Sequence, residues 1–224
     1  MQIKHTFLFT LFIALGWTGY LFAYVNGPDP AVNGIFGSGL TCNECHTGNP
    51  VNAPGGSVSI SGLPTDTGWT PGQTYPLSIT IARPRQRLFG FQLSAVADAT
   101  NQQAGTLTAV NTRVQIKCGG ATATTSTQEV RPNADGTCPS GTIWYAEHRD
   151  ATSVTSTYLV NWTAPSSTSA GKVRFNLAGN AANGDITSQG DFIYTRVDYA
   201  DPAVAPPVDL STRAFMDAEV TWGS

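Results

Sequence analysis

The chain has 224 residues, a formal net charge of -3 and only 12% charged side chains. No basic field is present to hold nucleic acid and there is no acidic tail. Glycine, proline, serine and threonine are abundant, and sustained helical periodicity is missing after residue 25, which excludes a helical bundle and suits a β-rich, turn-rich exported protein. Behind the N-terminal segment about 200 residues remain, enough for one domain with a real core.

Residues 1–25 read as an export signal: Lys4 beside His5, an apolar run over 7–15 broken only by Thr10, then a mixed, aromatic-rich stretch to Tyr24. Cleavage after Ala23 is expected. The alternative is retention as an N-terminal anchor, since an apolar run of about 18 residues is borderline for a bilayer. This segment is the chain's one route to a membrane. Residues 26–56 form a Gly/Pro/Asn-rich arm with little strand or helix propensity, apart from one short helical turn expected at 42–46. An arm this irregular needs an anchor, and a covalent cofactor packed on a rigid body would provide one.

Strand signals begin at 57–61, where Val58 and Ile60 share a face. A turn follows at 69–73. Residues 75–81 alternate with Leu77, Ile79 and Ile81 inward, and the Arg83-Pro84-Arg85-Gln86-Arg87 run breaks the ladder. Phe89, Phe91, Leu93 and Ala95 form the next inward face. Leu107 and Val110 mark a short strand, and 114–117 another. Residues 143–147 lead straight into His148. Tyr158, Val160 and Trp162 alternate, then Val173, Phe175 and Leu177. Residues 179–185 read as a turn cluster, and 192–199 as the last clear strand. Residues 201–224 read as a tail folded over the domain. About seven to nine short alternating strands argue for an all-β, immunoglobulin-like antiparallel β-sandwich over 57–200, preceded by the irregular arm.

The chemistry concentrates at Cys42-Asn43-Glu44-Cys45-His46, which has the C-x-x-C-H form of a covalent haem c attachment site. Two thiols three positions apart can each add to one vinyl group of the same haem, and the next imidazole is carried under the iron as its proximal ligand. Two other readings stay open: a plain Cys42–Cys45 disulfide, structural or redox-active, and a zinc site, for which adjacent Cys45 and His46 are awkwardly placed. The chain has three histidines, and His5 lies in the export segment. The distal partner is therefore His148 or Met216, and His148, at the end of a strand and the start of a polar loop, is the better placed. Bis-His ligation fills both axial sites and favours electron transfer over oxygen chemistry. With both histidines on iron, none remains as a general base, so the chain is not expected to be an enzyme.

Outside a reducing cytosol all four cysteines should be ligated or paired. If Cys42 and Cys45 hold haem, Cys118 and Cys138 pair with each other; the alternative is two buried thiols. Arg149, beside His148, is the best candidate for a haem propionate, ahead of Arg83, Arg85 and Arg87, against a plain reading as solvated loop residues. Trp144 and Trp162 read as core aromatics. Asp185 and Asp191 flank a turn, but no dense carboxylate run supports calcium. The sequon Asn161-Trp162-Thr163 sits in a strand and is discounted.

Taken in order, Phe89-Gly90-Phe91-Gln92-Leu93, Gly105, the aromatic-led His148, Trp162-Thr163-Ala164-Pro165, and Val173-Arg174-Phe175 followed by 179–185 resemble the reelin-type (reeler) domain over about residues 26–200. Bacterial members often carry C-x-x-C-H in a Gly/Pro-rich arm ahead of the sandwich. The resemblance implies an immunoglobulin-like sandwich and an exported protein, and places a histidine at His148; the excursion between Cys118 and Cys138 departs from the pattern. The expectation is an exported monohaem c-type cytochrome, periplasmic, cell-surface or secreted, serving an electron-transfer partner protein that the sequence does not name. The alternative is a cell-surface binding or adhesion module with a structural Cys42–Cys45 disulfide.

Overall fold

A computed structural model describes residues 26–37, 40–120, 129–150, 156–185 and 187–204. Residues 1–25, read from the sequence as an export signal, Met216 and most of the C-terminal tail lie outside the described residues. Among the described residues nine strands follow in chain order: β1 (Ser57–Ser61), β2 (Thr74–Ala82), β3 (Leu88–Ala97), β4 (Thr106–Ala109), β5 (Val114–Gly120), β6 (Thr142–His148), β7 (Thr157–Thr163), β8 (Val173–Ala182) and β9 (Phe192–Ala200). They form two antiparallel sheets, ordered β1-β2-β7-β4 and β5-β6-β3-β8-β9. This is the expected sandwich. Among the described residues no helix is long and apolar enough to cross a membrane.

Alternation produces the core, because successive side chains of a strand point to opposite faces. Leu77, Ile79 and Ile81 of β2, Phe89, Phe91, Leu93 and Ala95 of β3, and Val173, Phe175 and Leu177 of β8 are all buried between the sheets. Trp162 stands near the middle. It stacks on Tyr75 at 5.5 Å, meets Phe175 edge-on at 4.9 Å, and donates its indole N–H to the Ala104 carbonyl at 2.9 Å. A buried indole is stable there because its one polar group is satisfied. Trp69 is also fully buried, and the start of the tail pairs with it through Pro202 and Ala203.

Two features differ from the sequence reading. First, 179–182 are strand, not turn: β8 runs on to Ala182, paired with Leu88–Phe91 on one side and with β9 on the other. The composition reads as a turn, but Gly179 serves a different purpose. A Cβ there would lie 2.8 Å from Ile81 and 2.9 Å from Val58, so the glycine lets the facing sheet approach. The turn is confined to the residues after Ala182. Second, the outer face of the five-stranded sheet is covered. In β3 every residue after Leu88 is buried, including the outward Gln92, Ser94 and Val96. The cover is the arm. Ala31 and Ile35, with Phe36 beside them, pack on Val96, Ile143 and Tyr145 as a second apolar cluster outside the sandwich core. The arm is therefore anchored by polypeptide contacts.

Cys118 and Cys138 form a disulfide with 5.4 Å between their Cα atoms, as expected. It ties β5 to the segment preceding β6, and Cys118 also pairs with Val130. Replacing both cysteines by alanine should lower stability by about 3 kcal/mol, the chain-entropy value for a loop of about 20 residues. Urea unfolding of the double variant against the oxidised wild type measures this.

Candidate functional site

The motif begins in a 3-10 turn, Cys42–Glu44, on the arm, with Cys45 as its C-cap and His46 just beyond. Thr41 caps it, its hydroxyl accepting from the Asn43 N–H at 3.4 Å, and the Glu44 and His46 amides bond back to the carbonyls of Thr41 and Cys42. Cys42 is half-buried with its thiol 3.8 Å from the Val32 carbonyl; Cys45 is exposed, and the two are unbonded. Burial pushes the Cys42 thiol up to about 12, with smaller contributions in the same sense from Cys45 and Glu147. Burial, then the charges of Glu44 and Asp29, raises Cys45. A dithiol exchanger needs an easily formed thiolate in electropositive surroundings. This pair has the reverse, which disfavours the disulfide-exchange reading.

His46 is positioned from outside the arm. Thr47 joins the β8–β9 loop through Thr47 N–H to Ser188 O and Gly190 N–H to Thr47 O, both 2.8 Å. Asp191, at the end of that loop, places a fully buried carboxylate oxygen 2.6 Å from His46 Nδ1. Its other oxygen accepts from the Asn183 N–H at 3.1 Å, and its carbonyl accepts from the Asn49 side chain at 3.0 Å. Asn180 of β8 adds its amide 3.1 Å from the same imidazole nitrogen.

His148 ends β6 and is buried. Its Nδ1 lies 3.1 Å from the Phe91 N and 3.2 Å from the Phe91 O, so the ring stands where a backbone rung between β3 and β6 would otherwise be. Gly90 makes the room: a Cβ there would be 2.6 Å from His148 Cε1. Gly90 is also the direct partner of Asn180. Directly paired residues project to the same face. Asn180 alternates with the inward Gly179, so this is the outer face. The structure thus brings His46, held at Asn180, and His148, lying over Gly90, to neighbouring strands on one face. Adjacent strands are about 5 Å apart.

Between the turn and the sheet lies a buried polar seam. Gln92 Oε1 accepts from the Val32 N–H, and Gln92 Nε2 donates to the Asp29 carbonyl and to Glu147, each at 2.9 Å. Glu147 also accepts from Gln115 at 3.0 Å and faces Lys117 Nζ at 3.2 Å, which in turn donates to the Pro28 carbonyl. Asn33 donates to Ser94 Oγ and to the Asn176 carbonyl. Gly27 approaches so closely that a Cβ would lie 2.3 Å from Glu147.

The other singled-out residues stand apart. Arg149 lines an open depression of about 710 Å³ with Asn26, Thr112, Gln115 and Asp150, which none of Cys42, Cys45, His46 and His148 lines. Arg83 lies over the Phe192 ring and donates to Tyr194, while Arg85 and Arg87 are exposed. Trp162 is core and Trp144 packs against it. Asp185 is taken up by its own turn, accepting from Thr187. Among the described residues no three His, Cys, Asp or Glu side chains converge as a metal cluster. Sequence reasoning missed Gln92, Asn180 and Asp191 in their actual roles. No local signal marked these roles: Asp191 precedes β9, and an outward polar strand residue looks the same whether water or another segment covers it.

No family model and no curated protein matches this chain. Among solved structures it is similar to the human F-spondin reeler domain, at 16% identity over 69% of this chain and 94% of that one, with a TM-score of 0.41. It is similar to the Reelin-N domain of F-spondin at 15% identity, 69% and 92% coverage and a TM-score of 0.40. It is also similar to a cohesin module from a Clostridium perfringens family 33 glycoside hydrolase, at 12% identity, 67% and 98% coverage and a TM-score of 0.41.

Burial drives the Glu147 carboxyl up from 4.5 to about 7, against the opposing pull of Lys117, Gln92 and Gln115. The folded state then holds a proton over a range in which the unfolded chain has lost it. Stability present below the unfolded value is lost as pH rises through the folded one. The urea midpoint should fall between about pH 5 and about pH 7.5, and Glu147→Gln should flatten that slope; an identical slope in the variant would assign it elsewhere.

Proposed function

We propose that this chain is an exported monohaem c-type cytochrome, an electron carrier on a β-sandwich, acting outside the cytosol in the periplasm, at the cell surface or as a secreted protein. The observation that carries the reading is the state of the C-x-x-C-H. Both thiols are unbonded on one turn, and the following imidazole has Nδ1 engaged by a buried carboxylate, which leaves Nε2 as its metal-binding nitrogen. That donor set fits a haem and needs no further protein cluster, because haem iron takes only axial ligands from the chain.

In this reading Cys42 and Cys45 would hold the haem covalently, and His46 and His148 would ligate its iron. The bound haem supplies one-electron redox chemistry. The chain's own residues do the rest. Asp191 and Asn180 hold His46, the Phe91 backbone holds His148, and the arm's seam on the sheet keeps the motif over the outer face. Gly90 supports the assignment of His148, because no side chain at that position crowds its ring. Arg149 keeps a weaker claim as a propionate partner, resting only on its place beside His148. The Cys118–Cys138 disulfide supports the extracytosolic location, since such bonds persist in oxidising compartments. The electron-transfer partner is a protein, and with charge this low, a strong steering field does not select it.

The full-length chain, expressed with cytochrome c maturation machinery and then denatured, should retain a covalent haem spectrum, and Cys42→Ala with Cys45→Ala should abolish it. A colourless wild type alongside normally maturing controls would defeat the reading in favour of a binding or adhesion module. In the haem-loaded protein, His148→Ala should convert a low-spin spectrum to one with an open or weakly filled axial site; an unchanged low-spin spectrum would remove His148 as the ligand.

A further inference from the structure

Resting on the cytochrome reading, we infer that Asp191 is a positioning residue for the haem iron: it fixes His46 with its proton on Nδ1, turns Nε2 to the metal, and biases the iron toward the ferric state. The Asp191 side chain is fully buried, and its oxygen is 2.6 Å from Nδ1. A carboxylate only accepts hydrogen bonds, so the nitrogen facing it carries the hydrogen.

The neighbouring amide is compatible with that assignment once it is turned. As placed, Asn180 directs its NH₂ at His46 Nδ1, 3.1 Å away, and leaves its buried Oδ1 without a partner. A nitrogen that donates to Asp191 cannot also accept from that NH₂. With the amide turned by half a rotation, Oδ1 shares the Nδ1 hydrogen with Asp191, and the NH₂ takes the buried position that Oδ1 held. Amide oxygen and nitrogen differ by so little in shape that the hydrogen-bond network decides their placement. In that orientation two acceptors, one charged and one neutral, converge on one imidazole N–H.

Asp191 is itself held. The Asn183 N–H donates to its second oxygen, Asn49 donates to its carbonyl, and the Thr47–Gly190 rung ties its loop to the residue after His46. A metal-ligating histidine whose other nitrogen donates to a carboxylate becomes a stronger base and keeps one ring orientation. Stronger donation stabilises the more highly charged iron, so the reduction potential falls.

Asp191→Asn preserves shape and can still accept through its amide oxygen, but removes the charge. In the haem-loaded full-length protein it should keep the low-spin spectrum and shift the midpoint potential to more positive values. A potential equal to wild type would overturn the inference. Nitrogen NMR of the full-length chain carrying Cys42→Ser and Cys45→Ser gives a second readout that needs neither haem nor the Asp191 variant. His46 should show a protonated Nδ1 with a strongly downfield, slowly exchanging hydrogen. An Nε2–H tautomer would overturn the inference. Failure of the wild type to take up haem would overturn the role toward iron along with the cytochrome reading, while the NMR result would judge the His46–Asp191 pairing separately.

Discussion

The site depends on one constraint: the central strands of the five-stranded sheet carry buried polar groups on their outer face, and the arm must satisfy them. Gln92, Ser94, Glu147 and Asn176 are nearly inaccessible to solvent. Each buried polar group without a partner costs about 1–3 kcal/mol. Gln92 uses both ends of its amide on the arm, accepting from Val32 and donating to Asp29, while Asn33 reaches Ser94 and Asn176. Sliding the arm by one residue would break all of these at once. The apolar contacts of Ala31 and Ile35 supply attraction, but they would tolerate several placements. The polar seam selects one of them, and with it the position of Cys42, ten residues on from Val32.

A second anchor lies just beyond the motif. The chain from Thr47 to Asn49 zips onto the β8–β9 loop, and Gly48 and Gly190 approach so closely that a Cβ on the former would lie 2.8 Å from the latter's N. The 3-10 turn is thus tied down on both sides, by the seam before it and by the hairpin loop after it. In the proposed cytochrome, haem attachment would make the ring part of an arm that already has its address on the sheet. That order matters for redox chemistry, since an axial imidazole held before and after electron transfer needs little rearrangement when the iron changes charge.

Alternation made the sandwich legible. Val58, Leu77, Ile79, Phe91, Val160, Trp162 and Phe175 declare inward faces with period two, and all are buried. The Cys118–Cys138 pairing was legible because exported cysteines are expected to pair or be ligated. The extension of β8 was not. Gly179 and Asn180 have turn composition, and only the facing Val58 and Ile81 explain a glycine in that strand. Nor was the arm's docking legible, because an outward Gln92 or Ser94 looks the same in sequence whether water or another segment covers it. In the sequence Asp191 reads only as one of two carboxylates flanking a turn. Its actual partner, His46, lies 145 residues away, and no local pattern encodes that separation.

The same geometry ranks the rival readings of Cys42 and Cys45. A thiol–disulfide exchanger wants positive charge near its sulfur. Here the charged groups that act on the thiols are Glu44, Asp29 and Glu147, all acidic, and desolvation adds to their effect. A structural disulfide would account for the cysteines but would leave the next residue without a reason. His46 is the most heavily engaged side chain of the motif, gripped by a buried carboxylate and an amide from two elements far away in sequence. Burying a carboxylate is expensive unless it is paired and hydrogen-bonded. The fold places that cost at a histidine directly following two cysteines, which a disulfide does not need and an axial ligand does.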